Sequence, residues 1–181
     1  MAAIAYPAEV LQRASGIRLI GFDVDGTLTD GRLLYGTDGH ESKSFHVQDG
    51  LGLVLLRHAG ITTALVTARV STVVEQRGRE LQIPHVHTGE RGKLACMQRI
   101  AAGLGLSMSE VAFMGDDLPD LATMRGVGLA IAPANAHKWV SDEAHWITPR
   151  DGGAGAARDA CDLLLHAQGK VDAILAHGEH P

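Results

Sequence analysis

Hydrophobic residues in this chain form short compact runs, and most runs are followed by a stretch with helical spacing. The runs lack a helical period and are bounded by glycine or polar residues, which is typical of strands buried on both faces. Strands that alternate with helices predict a parallel sheet with helices on both faces and right-handed crossovers. The predicted strands are residues 17–22, 61–66, 85–87, 111–114, 129–132 and 145–148. The predicted helices are residues 49–58, 71–81, 93–104, 118–125 and 154–168.

One segment, residues 31–48, departs from this alternation. The β-compatible stretches LLYG and ESKSFHV flank TDGH, a turn that contains glycine, and this pattern predicts a β-hairpin. Only about 20 residues separate Asp30 from the helix predicted at Asp49, which leaves room for a hairpin and not for a cap domain. The predicted fold class is therefore α/β: a doubly wound, Rossmann-like parallel sheet without a cap, with a hairpin inserted after the first strand.

The length of 181 residues predicts a single domain over residues 1–181. We expect a short leader before the first strand and a C-terminal helix and tail over residues 152–181. The net charge of −5 comes without a basic run, which argues against a nucleic-acid partner. No apolar stretch approaches the ~18 residues of a membrane span. Cys96 and Cys161 have no CxxC spacing, which fits reduced thiols. We therefore expect a cytoplasmic protein that does not contact a membrane.

Acidic residues follow two of the predicted strands directly. Asp23 and Asp25 come after the first strand, and Asp116, Asp117 and Asp120 come after the strand at 111–114. Ligands of open α/β sheets bind at the carboxyl ends of strands, where the winding order reverses. If these two strands are neighbours, their acids converge on one site, and Mg²⁺ is the cation that such carboxylates commonly hold beside a substrate phosphate.

A hydroxyl and an amine complete a predicted phosphate site. Thr67 ends the second strand of the sheet in ALVTAR, and Lys93 begins the helix after GERG. Each signal alone has an ordinary structural explanation: a turn, a strand-end hydroxyl, a solvated lysine or a helix cap. Because all of them occur at strand ends or just beyond, together they favour a site for a phosphorylated ligand.

The order of acidic pair, hydroxyl, lysine and second acidic pair resembles the four motifs of the haloacid-dehalogenase-like phosphatases. This resemblance implies that Asp23 attacks phosphorus and forms an aspartyl-phosphate. It also implies that Asp25 protonates the leaving alcohol and then activates the hydrolytic water, while its backbone carbonyl reaches the metal. The expected chemistry needs a metal-bound nucleophile and an acid whose side chain is free of metal contact.

The same resemblance implies roles for the residues around this pair. Asp116 joins Asp23 on Mg²⁺, and Thr67 and Lys93 bind the phosphate oxygens. Asp117 and Asp120 are expected as supporting residues, with Asp117 orienting Lys93.

A narrower resemblance covers about residues 17–170. The stretches FDVDGTLTDGRLLYGTDGHESKSFHVQDG, LVTAR, GDDLPDLATMRGVGLAIAPANAH and DGGAGAARDACDLLLHAQGK are similar to the 3-deoxy-D-manno-octulosonate 8-phosphate phosphatases of lipopolysaccharide precursor synthesis. That family implies a phosphorylated sugar acid as substrate and a homotetramer with hairpins at the subunit contacts. It also implies that the C-terminal tail of one subunit reaches a neighbour's active site.

Motif by motif, the resemblance makes Arg69, Gly153 and Arg158 candidates for substrate binding, because arginine suits a carboxylate ligand. Glycines in GGAGAAR are equally compatible with a flexible entry to a helix. Ala68 departs from the family pattern, in which glycine is usual beside the phosphate-binding threonine, and its β-carbon is expected to tighten that loop.

Other functions remain compatible with the sequence. A nonulosonate 9-phosphate phosphatase of sialic acid synthesis shares the hairpin architecture, and comparative turnover distinguishes it. A phospho-acceptor signalling domain also phosphorylates an aspartate beside Mg²⁺, but it would keep a long-lived aspartyl-phosphate. A non-catalytic oligomerisation module is the third alternative, and the intact acidic set argues against it.

Overall fold

In the computed structural model, which describes residues 5–177, six parallel strands form one sheet in the order β5-β4-β1-β6-β7-β8. Two short antiparallel strands, β2 and β3, form a separate hairpin. The strands are β1 (Leu19–Phe22), β2 (Leu34–Tyr35), β3 (Glu41–Ser42), β4 (Thr62–Val66), β5 (His85–His87), β6 (Val111–Met114), β7 (Leu129–Ala132) and β8 (Trp146–Ile147). The α-helices are α1 (Ala8–Ser15), α2 (Val47–His58), α3 (Thr72–Glu80), α4 (Lys93–Gly103), α5 (Leu118–Arg125), α6 (Lys138–Ser141), α7 (Ala156–Ala167) and α8 (Val171–His177).

Both faces of the sheet are covered, which confirms the predicted α/β fold class. Side chains of a strand alternate between the faces, so the residues of β1 contribute to two cores. Ile20 and Phe22 belong to a core with α1, α2 and α7, whereas Leu19 belongs to a second core with α4 and α5. All four residues of β1 are buried, as expected for a strand with helices on either side.

Strand β1 lies where the winding order reverses. It pairs with β4 on one side and β6 on the other, and Phe22 is in register with Leu65 and Met114. The residues that follow β1, β4 and β6 therefore emerge at the same edge of the sheet. This is the edge at which an open α/β sheet binds its ligands.

The structure differs from the sequence prediction mainly at the ends and in the hairpin. The predicted leader contains α1, which buries Val10 and Ala14 against the core. Helix α2 begins at Val47, so the hairpin is shorter than the predicted 31–48 and its strands pair over two residues each. Helix α8 forms part of the predicted tail, whereas residues 178–181 of that tail and residues 1–4 of the predicted domain lie outside the described residues.

Within residues 5–177, no helix combines the length and the apolar character needed to cross a membrane.

Candidate active site

A tight backbone turn holds the first pair of acids at the end of β1. The N–H of Asp23 donates to the carbonyl of Met114 on β6 (2.9 Å), which continues the sheet ladder by one residue. In the following turn, one carbonyl accepts several hydrogen bonds: the N–H groups of Leu28 and Thr29 both donate to the carbonyl of Val24 (2.9 and 3.0 Å). This loop, residues 23–30, is called the acid loop below.

Three carboxylates converge at the carboxyl ends of β1 and β6. Oxygen atoms of Asp23, Asp116 and Asp120 lie within 4.8 Å of one another, and these residues are called the acid cluster. The Nζ atom of Lys93 lies 2.8 Å from Oδ1 of Asp23 and 2.6 Å from Oδ1 of Asp120. The hydroxyl of Thr27 donates to Oδ1 of Asp116 at 3.0 Å. The structure thus brings together Asp23, Asp116 and Lys93 as the sequence predicted.

Charge in the acid cluster is only partly balanced. Burial, with repulsion from Asp120 as the second cause, raises the pKa of Asp23 to about 7 and the pKa of Asp116 to about 6. Burial disfavours the ammonium of Lys93, but its acidic neighbours outweigh this effect and raise its pKa. Three carboxylates around one ammonium leave room for further positive charge. Such an oxygen-rich, electron-rich set fits a divalent cation of the Mg²⁺ type.

Of the two predicted supporting residues, Asp120 contacts Lys93, whereas Asp117, which was expected to orient the lysine, does not. Asp117 caps α5 by accepting a hydrogen bond from the N–H of Leu118 (2.8 Å). Asp120 lies three residues further on, in the first helical turn, so its carboxylate reaches back towards the start of the helix. Its Oδ2 accepts from the N–H of Asp116 (3.1 Å) while Oδ1 binds Lys93. Asp120 therefore links the lysine to residues 115–117, which form the second acidic loop.

Thr67 occupies the carboxyl end of β4, at the same edge of the sheet as the acid loop. Its backbone N–H donates to His87 (3.0 Å), and its Oγ1 accepts from the N–H of Arg69 (3.3 Å). Within the described residues its hydroxyl donates no hydrogen bond, so its proton is free for a ligand. Ala68 does not adopt positive φ, so its β-carbon introduces no backbone strain at this turn.

A charged network from the hairpin reaches the acid loop, and the sequence analysis missed it. The ammonium of Lys43 contacts Oδ1 of Asp25 and lies 2.6 Å from Oε1 of Glu41. Arg69 binds Oε2 of Glu41 (2.7 Å) and the hydroxyl of Tyr35 (2.9 Å). The available signal was the spacing of Glu41 and Lys43, because residues two apart in an extended segment project to the same side.

The glycine segment before α7 packs on the acid loop. The N–H of Gly153 donates to the carbonyl of Thr27 (3.1 Å), and the N–H of Gly152 donates to Oδ1 of Asn135 (2.9 Å). A β-carbon on Gly152 would overlap the carbonyl oxygen of Gly26, so the two backbones approach as closely as they can. The structure therefore gives Gly153 a supporting position behind the acid loop.

Arg158, the other candidate from this segment, lies elsewhere. Its backbone N–H donates to Oδ1 of Asp49 (2.7 Å) on α2, and its Nε donates to Asp162 (2.7 Å) one turn further along α7. A β-carbon on Gly52 of α2 would lie 3.1 Å from its Cδ. These contacts place Arg158 where α2 packs on α7, and the structure does not bring it to the acid cluster within the described chain.

Replacing Gly152 by alanine should displace the acid loop and lower both activity and stability. Because the new β-carbon meets backbone rather than a flexible side chain, the acid loop must shift. A misplacement of a catalytic group by about 1 Å can lower the rate about 10²-fold. We expect kcat to fall about 10²-fold, measured as phosphate release. The thermal midpoint should fall by several degrees, because overpacking of this kind costs about 1 to 3 kcal/mol. Gly103→Ala is the matched control, since a β-carbon there meets nothing within 4 Å. Equal activity of the two variants would contradict the close packing.

The fold and the site together define a class of protein. The family model for haloacid dehalogenase-like hydrolases matches residues 85–158, which include Lys93 and the second acidic loop. The acid loop after β1, the hydroxyl after β4, the buried lysine and the acids after β6 have the order that this class requires. The chain is therefore a haloacid dehalogenase-like hydrolase.

Relatives define the family more closely. The 3-deoxy-D-manno-octulosonate 8-phosphate phosphatase KdsC of Yersinia pestis is 41% identical over 164 residues, covering 91% of this chain and 88% of that protein. The solved structure of the Moraxella catarrhalis phosphatase with magnesium, phosphate and KDO is 40% identical, with a TM-score of 0.93 and coverage of 96% and 100%. The cobalt-bound Haemophilus influenzae phosphatase is 35% identical, with a TM-score of 0.85 and coverage of 88% and 93%.

The chain belongs to the family of 3-deoxy-D-manno-octulosonate 8-phosphate phosphatases.

Proposed function

We propose that this protein is a Mg²⁺-dependent phosphatase that releases phosphate from 3-deoxy-D-manno-octulosonate 8-phosphate during lipopolysaccharide precursor synthesis. The observation that carries the proposal is the buried acid cluster with Lys93 at the carboxyl ends of β1 and β6. Support for the substrate comes from relatives of that name that match nearly the full length of the chain.

In the proposed reaction, Asp23 attacks phosphorus and forms an aspartyl-phosphate. Its carboxylate follows β1 directly, on a backbone held by the ladder to β6, so the nucleophile is fixed before substrate binds. Lys93 lies 2.8 Å from this carboxylate and can balance the charge of the phosphate oxygens, and Thr67 can donate its free hydroxyl proton to them. Asp25 then serves as the acid for the leaving alcohol and as the base for the water that attacks the phospho-enzyme.

Asp23, Asp116 and the backbone carbonyl of Asp25 are the proposed ligands of Mg²⁺, and Asp120 is close enough to support them. The cation supplies positive charge beside the phosphate, which the acid cluster by itself would repel. Burial, together with repulsion from Asp120, raises the pKa values of Asp23 and Asp116, and a bound cation would favour the charged form of both carboxylates.

Arg69 is the proposed ligand of the sugar acid within the chain. Its guanidinium is partly exposed at the edge of the site, where it can exchange one of its present partners for an oxygen of the substrate. Gly153 would act through the backbone of the acid loop. Arg158 remains a prediction, and from its position on α7 a direct contact with substrate needs a rearrangement or a neighbouring subunit.

We further propose a cytoplasmic homotetramer in which neighbours complete the open site. In the hairpin, the large apolar residues Leu34 and Tyr35 are 58% and 61% exposed to solvent. The hairpin pairs with no other strand in the described chain. A subunit contact at the hairpin would bury this surface close to Arg69, with which Tyr35 shares a hydrogen bond.

The function is tested by phosphate release with and without Mg²⁺. We expect turnover of 3-deoxy-D-manno-octulosonate 8-phosphate to exceed that of a nonulosonate 9-phosphate and of 4-nitrophenyl phosphate, and to vanish with chelator. Asp116→Asn should require more Mg²⁺, because it removes one carboxylate of the cluster. Preference for the nonulosonate ester would overturn the substrate, whereas a stable phospho-enzyme without turnover would overturn the phosphatase assignment.

A further inference from the structure

Lys43 is a buried ammonium in direct contact with the residue proposed as general acid. Its side chain is 1% exposed, and it reaches from the hairpin to Asp25 on the acid loop and to Glu41 on β3. Burial of an ammonium without a negative partner destabilises the folded state, and here the carboxylates of Asp25 and Glu41 are the partners. The reaction described above assigns Lys43 no role.

The contact makes the two oxygens of Asp25 different. Oδ1 accepts the bond from Lys43. Oδ2 is buried and has no hydrogen-bond partner among the described residues, and Nε of Arg69, 3.9 Å away, is in the same condition. A buried acceptor and a buried donor that lie this close without bonding are rare in folded proteins and require an explanation.

A hydroxyl-sized oxygen satisfies both atoms at once. It can donate its proton to Oδ2 of Asp25 and accept the N–H of Arg69, because an oxygen of this kind is both donor and acceptor. The alcohol formed when the phosphate ester breaks has this chemistry. Oδ2 is thus the atom of Asp25 that remains available for proton transfer.

We propose that Lys43 is a positioning residue that holds Asp25 by Oδ1, so that Oδ2 faces the leaving-group oxygen beside Arg69. This inference rests on the proposed function. As the bond from Asp23 to phosphorus forms, the bond from phosphorus to the ester oxygen breaks. The proton on Oδ2 moves to that oxygen, which yields the free alcohol and leaves Asp25 as a carboxylate bound to Lys43.

The test exploits the different need of two leaving groups for a proton. A sugar alkoxide is a poor leaving group and depends on the general acid, whereas 4-nitrophenolate leaves with little help. We expect Lys43→Met to lower kcat for the octulosonate ester about 10²-fold, the lower end of a general acid's contribution. The rate on 4-nitrophenyl phosphate should change much less. Because both rates come from one preparation, their ratio is independent of the fraction of protein that is folded.

Three variants sharpen this comparison. Lys43→Arg keeps the charge and should recover most of the ratio, whereas Lys138→Met, which removes an exposed lysine far from the acid loop in sequence, should leave it at the wild-type value. In an Asp25→Asn background, Lys43→Met should cause no further change in the ratio, because the group that it positions can no longer donate a proton.

The proposal would be wrong if Lys43→Met lowered kcat equally on both esters, or if the ratio still changed in the Asp25→Asn background. Lys43 would then have only a structural role. Failure of the proposed substrate is a separate result. If wild type hydrolyses another alkyl phosphate and not the octulosonate ester, the proposed function fails. The ratio is then measured with that alkyl ester, and the same outcomes decide the role of Lys43.

Discussion

Asp23→Asn should abolish turnover while the protein stays folded. An amide cannot form the aspartyl-phosphate, and loss of a nucleophile lowers kcat by up to on the order of 10⁶-fold in well-studied hydrolases. The free energy of unfolding should not decrease, because the substitution removes the repulsion between Asp23 and Asp120 while Lys93 keeps its bond to Asp120. Phosphate release and thermal unfolding, measured on one preparation, give both quantities.

Asp142→Asn is the matched control for this experiment, because it makes the same chemical change at an exposed carboxylate that pairs with Lys138. It should retain wild-type turnover. Trapping adds a positive signal: with substrate, wild type should incorporate phosphate covalently for a short time and Asp23→Asn should not. A variant that keeps a near-normal rate would exclude Asp23 as the nucleophile, whatever happens to its stability.

The parts of this molecule that follow from local pattern were predictable. Strand β6 has the predicted bounds, and Asp116 lies at the expected edge, because a buried strand followed by acids carries its own signal. Helix α5 was placed at its observed limits for a similar reason: a capping acid, a proline and a terminal glycine mark it. The metal and phosphate chemistry follows from these local features together with the order of strands.

What could not be predicted depends on contacts between segments distant in sequence. The approach of Lys43 to Asp25 requires the hairpin to dock on the acid loop, and hydrophobic periodicity does not contain that information. Gly152 supports the acid loop through backbone packing, which leaves no pattern beyond the glycine itself. Helix α1 was missed because it is short and buries only Val10 and Ala14 of its own residues.

Lys93 should matter for stability as much as for catalysis. Its side chain is 2% exposed between Asp23 and Asp120, so Lys93→Met leaves two buried carboxylates without their ammonium. Breaking a buried pair from one side costs about 3 to 5 kcal/mol. We therefore expect a clear fall in the free energy of unfolding in urea without Mg²⁺, together with loss of turnover. Lys138→Met, which breaks an exposed pair with Asp142, should cause no measurable destabilisation.

The double variant Lys93→Met/Asp120→Asn separates the two roles of this lysine. Removal of the Asp120 charge relieves part of the repulsion in the acid cluster, so the double variant should be more stable than Lys93→Met alone. Turnover should stay lost, because among the described residues no cation then lies beside Asp23 to balance the phosphate. If the double variant regained activity with stability, the loss in Lys93→Met would come from misfolding, and the proposed contact between Lys93 and the phosphate would be wrong.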